Sequence, residues 1–257
     1  MALIVVQGLR GGVGTTFLAA NIAIAFAQAG REATALDFAA HGTLPLHFGL
    51  PLDHPIAQID GNPLEDSAPL GVTLRAAAQF AAKGDLAAAL ASGEIRFSGE
   101  QVVVADLATA DEATRAMLLP YAALDIRVLS ATAESLSVLP HVLDEASDRT
   151  FYLINMADDT RRFCRHMAGF LRELLGDRLL GSIRRDEAVI EAGAMLQPLA
   201  KYAPSSASLK DVQTLVHDLV PRLSAAFATN DETAVAVKPA EDRSRKTTGR
   251  QGVSRAA

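Results

Sequence analysis

Residues 2–16 read Ala2-Leu-Ile-Val-Val-Gln7-Gly8-Leu9-Arg10-Gly11-Gly12-Val13-Gly14-Thr15-Thr16. A short β-branched apolar run enters a glycine-rich turn, and the Ala- and Ile-rich stretch Phe17 to Gln28 follows it. This is a strand, a loop and a helix in immediate succession. Four glycines let successive backbone N–H groups converge on an anion while the following helix N-terminus adds partial positive charge. Thr16 stands where a hydroxyl reaches a phosphate-bound magnesium ion, so the loop is read as a phosphate cradle.

Working outward, further short apolar runs lie at Ala33 to Leu36, ending on Asp37, and at Val72 to Arg75, Val102 to Ala105, Ile126 to Ser130 and Phe151 to Ile154. Helical patterns separate several of them, and strands alternating with helices predict an α/β domain, doubly wound, with a mostly parallel sheet covered on both faces. Pro45, Pro51, Pro55, Pro63 and Pro69 punctuate a stretch read as surface loops around short helices. The chain of 257 residues is long enough for one large domain, and 49% hydrophobic residues fill a substantial core. From Thr229 the apolar pattern stops, so residues 1–228 are expected to form the domain and residues 229–257 a disordered tail.

The net charge of −6 becomes −8 for residues 1–228 once the +2 of the tail is removed. Such an acidic body argues against coating nucleic acid, and no specific nucleic-acid partner is expected. Cys164 is the single cysteine, which excludes an internal disulfide or a Cys-based zinc site and points to a reducing compartment. No secretory signal or apolar span long enough for a bilayer is visible, so a cytoplasmic location is expected.

At the glycine loop a resemblance enters. Arg10-Gly11-Gly12-Val13-Gly14-Thr15-Thr16 resembles the deviant Walker A motif of the MinD/ParA ATPase superfamily, usually Lys-Gly-Gly-x-Gly-Lys-(Ser/Thr). Arg10 occupies the signature-lysine position and keeps its charge as a bidentate fork, whereas Thr15 leaves only a hydroxyl in place of the loop lysine. Thr34-Ala35-Leu36-Asp37 resembles the second-strand motif that continues Asp-x-Asp, with Ala39 at the second carboxylate. Asp37 is thus the catalytic carboxylate the resemblance implies, and the missing second one implies weak or absent hydrolysis. Val102-Val103-Val104-Ala105-Asp106 resembles Walker B, which makes Asp106, with Thr16, a ligand for Mg2+.

Phe151-Tyr-Leu-Ile-Asn155 resembles the strand whose terminal Asn faces the purine. The Gly181-Ser-Ile-Arg184-Arg185-Asp186-Glu187-Ala188 run, with Gln197-Pro198 after it, resembles the last strand and base-proximal loop, which adds Arg184 to the ATP-binding set. Within the superfamily the chain is similar to the BcsQ (YhjQ) family of bacterial cellulose-synthase operons, on the Arg-Gly-Gly-Val-Gly-Thr-Thr loop, the lost second Asp and the Arg185-to-Ala188 run. The resemblance implies an ATP-bound homodimer in which Arg10 crosses to the partner's phosphates. It also implies an accessory scaffold recruited to the inner membrane by BcsR, BcsE and the synthase subunits. A partition or positioning ATPase, or a pilus-assembly relative, is the alternative.

Other constellations carry less. The histidines, His47 among them, show no zinc-helix spacing and are read as surface or packing residues. Arg161-Arg162-Phe163-Cys164-Arg165-His166 opens a helix ending near Leu175, read as a solvated basic face with Phe163, Met167 and Phe170 turned inward, or else as a contact for an acidic partner. Arg243-Ser-Arg245-Lys246 in the tail has no apolar face beside it, so lipid attachment there is not expected.

Overall fold

A computed structural model describes residues 2–39, 42–61, 68–97 and 101–235. Seven strands form one sheet: β1 (Ala2–Gly8), β2 (Ala33–Asp37), β3 (Val72–Ala76), β4 (Val102–Asp106), β5 (Ala122–Ser130), β6 (Thr150–Ala157) and β7 (Leu179–Arg184). Their order is β3-β2-β4-β1-β5-β6-β7 and every pairing is parallel. The doubly wound α/β sheet read from the alternating pattern is therefore present. Nine helices connect and cover the described strands: α1 (Thr15–Gln28), α2 (Ala78–Ala82), α3 (Asp85–Ser92), α4 (Glu112–Leu118), α5 (Ala133–Asp144), α6 (Arg162–Leu175), α7 (Ala188–Ala194), α8 (Leu199–Tyr202) and α9 (Ala207–Val235).

Side-chain alternation along β1 sorts its residues to two faces. Ala2, Ile4 and Val6 join the apolar layer under α1 and α9, and Leu3 and Val5 join the layer under α3. A third layer, built on Leu129, Tyr152, Met167 and Leu171, seats α5 and α6 over the other half of the sheet. Helix α1 is apolar on nearly all sides because it is enclosed, with Phe17 through Phe26 all buried.

The proline-rich stretch holds short 3-10 turns at Leu44–Phe48 and Pro69–Gly71, while Pro63 lies outside the described residues. His47 takes a packing role: burial pushes its imidazole down to about 4, and its ring meets Phe17 edge-on at 5.8 Å. The expected domain end at 228 falls inside α9, which continues to Val235, and the tail from 236, with its basic cluster, lies outside the described residues. Among the described residues no helix is long and apolar enough to cross a membrane.

On α6 the inward-facing expectation holds for Met167 alone. Phe163 and Phe170 are 52% and 49% exposed, because the buried face is completed by Leu171 and Leu175. Strand β5 begins at Ala122, four residues before its apolar run, since Asp125 inside it is buried and neutralised. Arg127 Nε donates to Asp125 Oδ2 at 2.9 Å, and Gln7 Nε2 donates to Oδ1 at 2.6 Å.

Candidate functional site

The register places the chemistry. Parallel pairing sets Asp37 opposite Asp106 and Asp106 opposite Val6, so two carboxylates end neighbouring strands beside the start of the glycine loop. This is the carboxyl edge of the sheet, where open α/β folds bind ligands.

The loop's glycines have geometric reasons. Gly12 and Gly14 adopt φ of 78° and 80°, and Gly14 is the N-cap of α1. A Cβ on Gly8 would sit 2.6 Å from Thr15 Oγ1 and 2.8 Å from the Arg10 carbonyl. Among the described residues no protein group accepts from the N–H groups of Gly11, Gly12, Gly14, Thr15 and Thr16, so these donors stay available to an anion. Thr15 is buried behind the loop with its hydroxyl against Gly8, so the ordinary lysine position does not project into the cradle. Arg10 is exposed at the loop's rim.

Asp106 is 1% exposed. Its Oδ1 accepts from the Ala108 N–H at 3.0 Å, while Oδ2 is buried with no hydrogen-bond partner. Burial raises its carboxyl to about 6; Thr16 and the Ala108 amide oppose this, and the charge of Asp37 adds to it. Thr16 thus stands near enough to favour the charged form, yet does not satisfy Oδ2. A buried acceptor without a donor needs an explanation, and a hydrated Mg2+ beside Thr16 fits the donor set. Asp37 is 4% exposed, its carboxyl raised by burial against the Ala39 N–H, which donates to Oδ1 at 2.8 Å. A Cβ on Gly42 would lie 1.9 Å from Asp37 Oδ2. Gly42, absent from the motif reading, is what permits this carboxylate to be covered.

Asn155 and Arg184 both border a cavity of about 180 Å3 beside Gly14, Phe17, Met156 and Ile190. Neither side chain is unengaged there. Asn155 Nδ2 donates to the Val13 carbonyl at 2.8 Å, which ties the end of β6 to the phosphate loop. Arg184 Nε and Nη2 donate to Asp211 of α9, the latter at 2.7 Å, which holds the guanidinium against the last helix. Asp186 accepts from Ser206 Oγ at 2.6 Å and from the Ala207 N–H, fixing the turn after β7 to the start of α9. Met156, with φ of 55°, is held in a left-handed conformation uncommon outside glycine and lies at the same cavity. No spacing rule announces these four features.

The family model of the cellulose biosynthesis protein BcsQ matches residues 1–218. Among solved structures the chain is similar to the septum site-determining protein MinD complexed with Mg-ADP from Pyrococcus horikoshii OT3, with 17% identity, a TM-score of 0.66, and coverage of 88% of this chain and 98% of that one. It is similar to a ParA family ATPase from Chlorobium tepidum TLS, at 19% identity and TM-score 0.64 over 84% of this chain and 98% of that one. The MinC:MinD cell division complex of Aquifex aeolicus matches at 18% identity and TM-score 0.64, covering 86% and 96%. At such identities the likeness establishes the fold. No curated protein matches the sequence.

Proposed function

The chain belongs to the BcsQ family of cellulose biosynthesis proteins, and from that premise we propose that it is a nucleotide-dependent accessory protein of cellulose synthesis. It binds Mg-ATP at the loop from Gly8 to Thr16 and pairs with a second copy across that nucleotide. In that state it supports assembly or placement of the cellulose synthase complex, with BcsR, BcsE and the synthase subunits as partners and the inner membrane as their site. The observation that carries the reading is Asp106 Oδ2, buried without a donor next to Thr16 and below a row of open N–H groups. Mg-ATP supplies the cation this carboxylate lacks and the polyphosphate those donors suit. The MinD relative complexed with Mg-ADP supports the ligand class, and the MinC:MinD complex supports a partner-binding role.

Arg10, exposed at the rim, is the cation positioned to meet phosphate from a second subunit. Asp37 is covered by Gly42 and held by the Ala39 amide, and Ala39 brings no carboxylate of its own. Little remains to orient an attacking water, so the protein retains its nucleotide and acts as a slow switch. Calorimetry with purified protein tests the reading. Saturable heat with Mg-ATP, lost in Thr16→Ala and Asp106→Asn, is expected; no heat from the wild type at millimolar nucleotide overturns it.

A further inference from the structure

Two contacts seat the 3-10 turn Leu44–Phe48 against walls of the cavity beside Gly14. On one side the His47 ring meets the edge of Phe17 at 5.8 Å, and Phe17 lines the cavity. On the other, Gly49 ends the turn with φ of 75°, and a Cβ there would stand 2.7 Å from Pro198 Cδ and 3.2 Å from the Leu196 carbonyl oxygen. Helix α7, just before this segment, supplies Val189 and Ile190 to the same cavity. Leu196 is held at φ of 50° with its side chain 44% exposed, a costly backbone conformation for a leucine. At its start the turn continues from Gly42 and Thr43, whose carbonyl accepts from the Leu46 N–H at 3.2 Å. Gly42 is the residue that covers Asp37, with a would-be Cβ 1.9 Å from Oδ2. Leu44 and Phe48 are buried, so the turn shifts as one piece, and with so little clearance a shift of about 1 Å decides whether the carboxylate is covered.

We propose that this turn is a positioning element that couples the cavity to Asp37: when the base of a bound nucleotide parts the cavity walls, the turn loses its seat on Phe17 and Pro198, and Gly42 comes off the carboxylate. The inference rests on the nucleotide reading above, with phosphates at the loop and the base beyond Gly14. Volume decides that the walls part. The cavity holds about 180 Å3, less than the roughly 300–1,000 Å3 of ordinary small-molecule sites, and Phe17, Met156, Val189 and Ile190 are among its apolar walls. Helix α7 is the wall that yields, because it has only 7 residues and Ile190 on it is 66% exposed, whereas Phe17 belongs to the enclosed α1. Packed contacts of this kind carry coupling without a hydrogen bond or charge between the two places. The consequence is selectivity: a nucleotide opens Asp37, and an inorganic polyphosphate at the same loop does not. Hydrolysis stays slow, since Ala39 still brings no second carboxylate.

Hydrogen exchange at the Ala39 amide, which donates to Asp37 Oδ1, reads the cover. The full chain is compared with ADP and with pyrophosphate, magnesium being chelated, so that both bring phosphate to the loop and only one brings a base. ADP is expected to speed Ala39 exchange about fivefold or more, and pyrophosphate to leave it unchanged. His47→Ala and Pro198→Ala each remove one seat of the turn. Either alone should raise exchange without ligand and shrink the response. With both, exchange should already be fast and ADP should add less than about twofold, while ADP affinity by calorimetry stays within about threefold of wild type. Equal responses to ADP and pyrophosphate, an unchanged Ala39 amide in the ADP-saturated wild type, or a wild-type response in the variants overturns the proposal. If Mg-ATP gives heat while Ala39 does not respond to ADP, the coupling falls and the nucleotide reading stands; no heat from Mg-ATP removes both.

Discussion

At Asp106 the sign of the titration is informative. Burial raises the folded-state carboxyl to about 6 from 3.8, so the folded protein holds the proton more tightly than the unfolded chain does. Its charge therefore costs stability above about pH 6, and the cost disappears as pH falls toward the unfolded value. Without nucleotide, Asp106→Asn should raise stability near pH 7.5 by about 1–3 kcal/mol, and the gain should vanish near pH 4. Urea titrations at several pH values measure it. The same proton competes with Mg2+, so Mg-ATP affinity in the wild type should fall as pH drops below about 6, which calorimetry at two pH values would show. A flat pH profile would mean that Asp106 does not face the metal. Gly14 makes a second prediction at this scale. Its φ of 80° and a would-be Cβ lying 2.4 Å from Asn155 Nδ2 leave no room for a methyl group. Gly14→Ala should cost about 1–3 kcal/mol and abolish nucleotide binding. Adding Asn155→Ala should return part of the stability and none of the binding, since the tie to the Val13 carbonyl is then gone.

Among the elements, β5 shows what a hydropathy reading sees and what it misses. Its apolar half, Ile126 to Ser130, is visible as a run, but Ala122 to Asp125 is hidden by a charge in the middle of a buried strand. That charge is tolerated because Gln7, Arg127 and Thr150, from three strands, all donate to it. Asp125→Ala should therefore cost about 3–5 kcal/mol, since buried Arg127 would keep only the Val142 carbonyl and the exposed Glu145 carboxylate 3.9 Å away, and chemical denaturation would report it. A loss under about 1 kcal/mol would show that water reaches the arginine. The ends of β1, β2 and β4 were legible because an uncharged run simply stops at a loop or a carboxylate, and parallel pairing then sets Asp37 beside Asp106. Periodicity puts the two phenylalanines of α6 on the core face, yet both are half exposed, because it locates a face but not how much of it is covered. The couplings of Asn155 to Val13 and of Arg184 to Asp211 span 142 and 27 residues, and no local pattern encodes such distances.

At the scale of the whole molecule, charge sets the terms of pairing. Two copies each carrying a net charge of −6, with a polyphosphate between them, repel one another unless cations lie at the contact. Arg10 is exposed beside open loop amides, and its charge is near enough to add to the lowering of Glu134, which that residue's own amide and Thr132 begin. Exposure means the fold does not depend on it, so Arg10→Ala should change stability by no more than about 0.5 kcal/mol. If its guanidinium meets the partner's phosphates, removing it deletes a charge-assisted bond and leaves buried phosphate charge unpaired. The ATP-dependent dimer should then weaken by about 2 kcal/mol or more, roughly thirtyfold, and Arg10→Lys should keep part of it because the charge remains without the fork. Light scattering with and without Mg-ATP measures this, beside cellulose staining of cells carrying each variant at equal protein levels. Dimer loss together with cellulose loss is expected. An undiminished ATP dimer in Arg10→Ala would reduce Arg10 to a loop residue. A lost dimer with normal cellulose would leave nucleotide binding standing and remove the scaffold role, because polymer output would then not depend on the paired state.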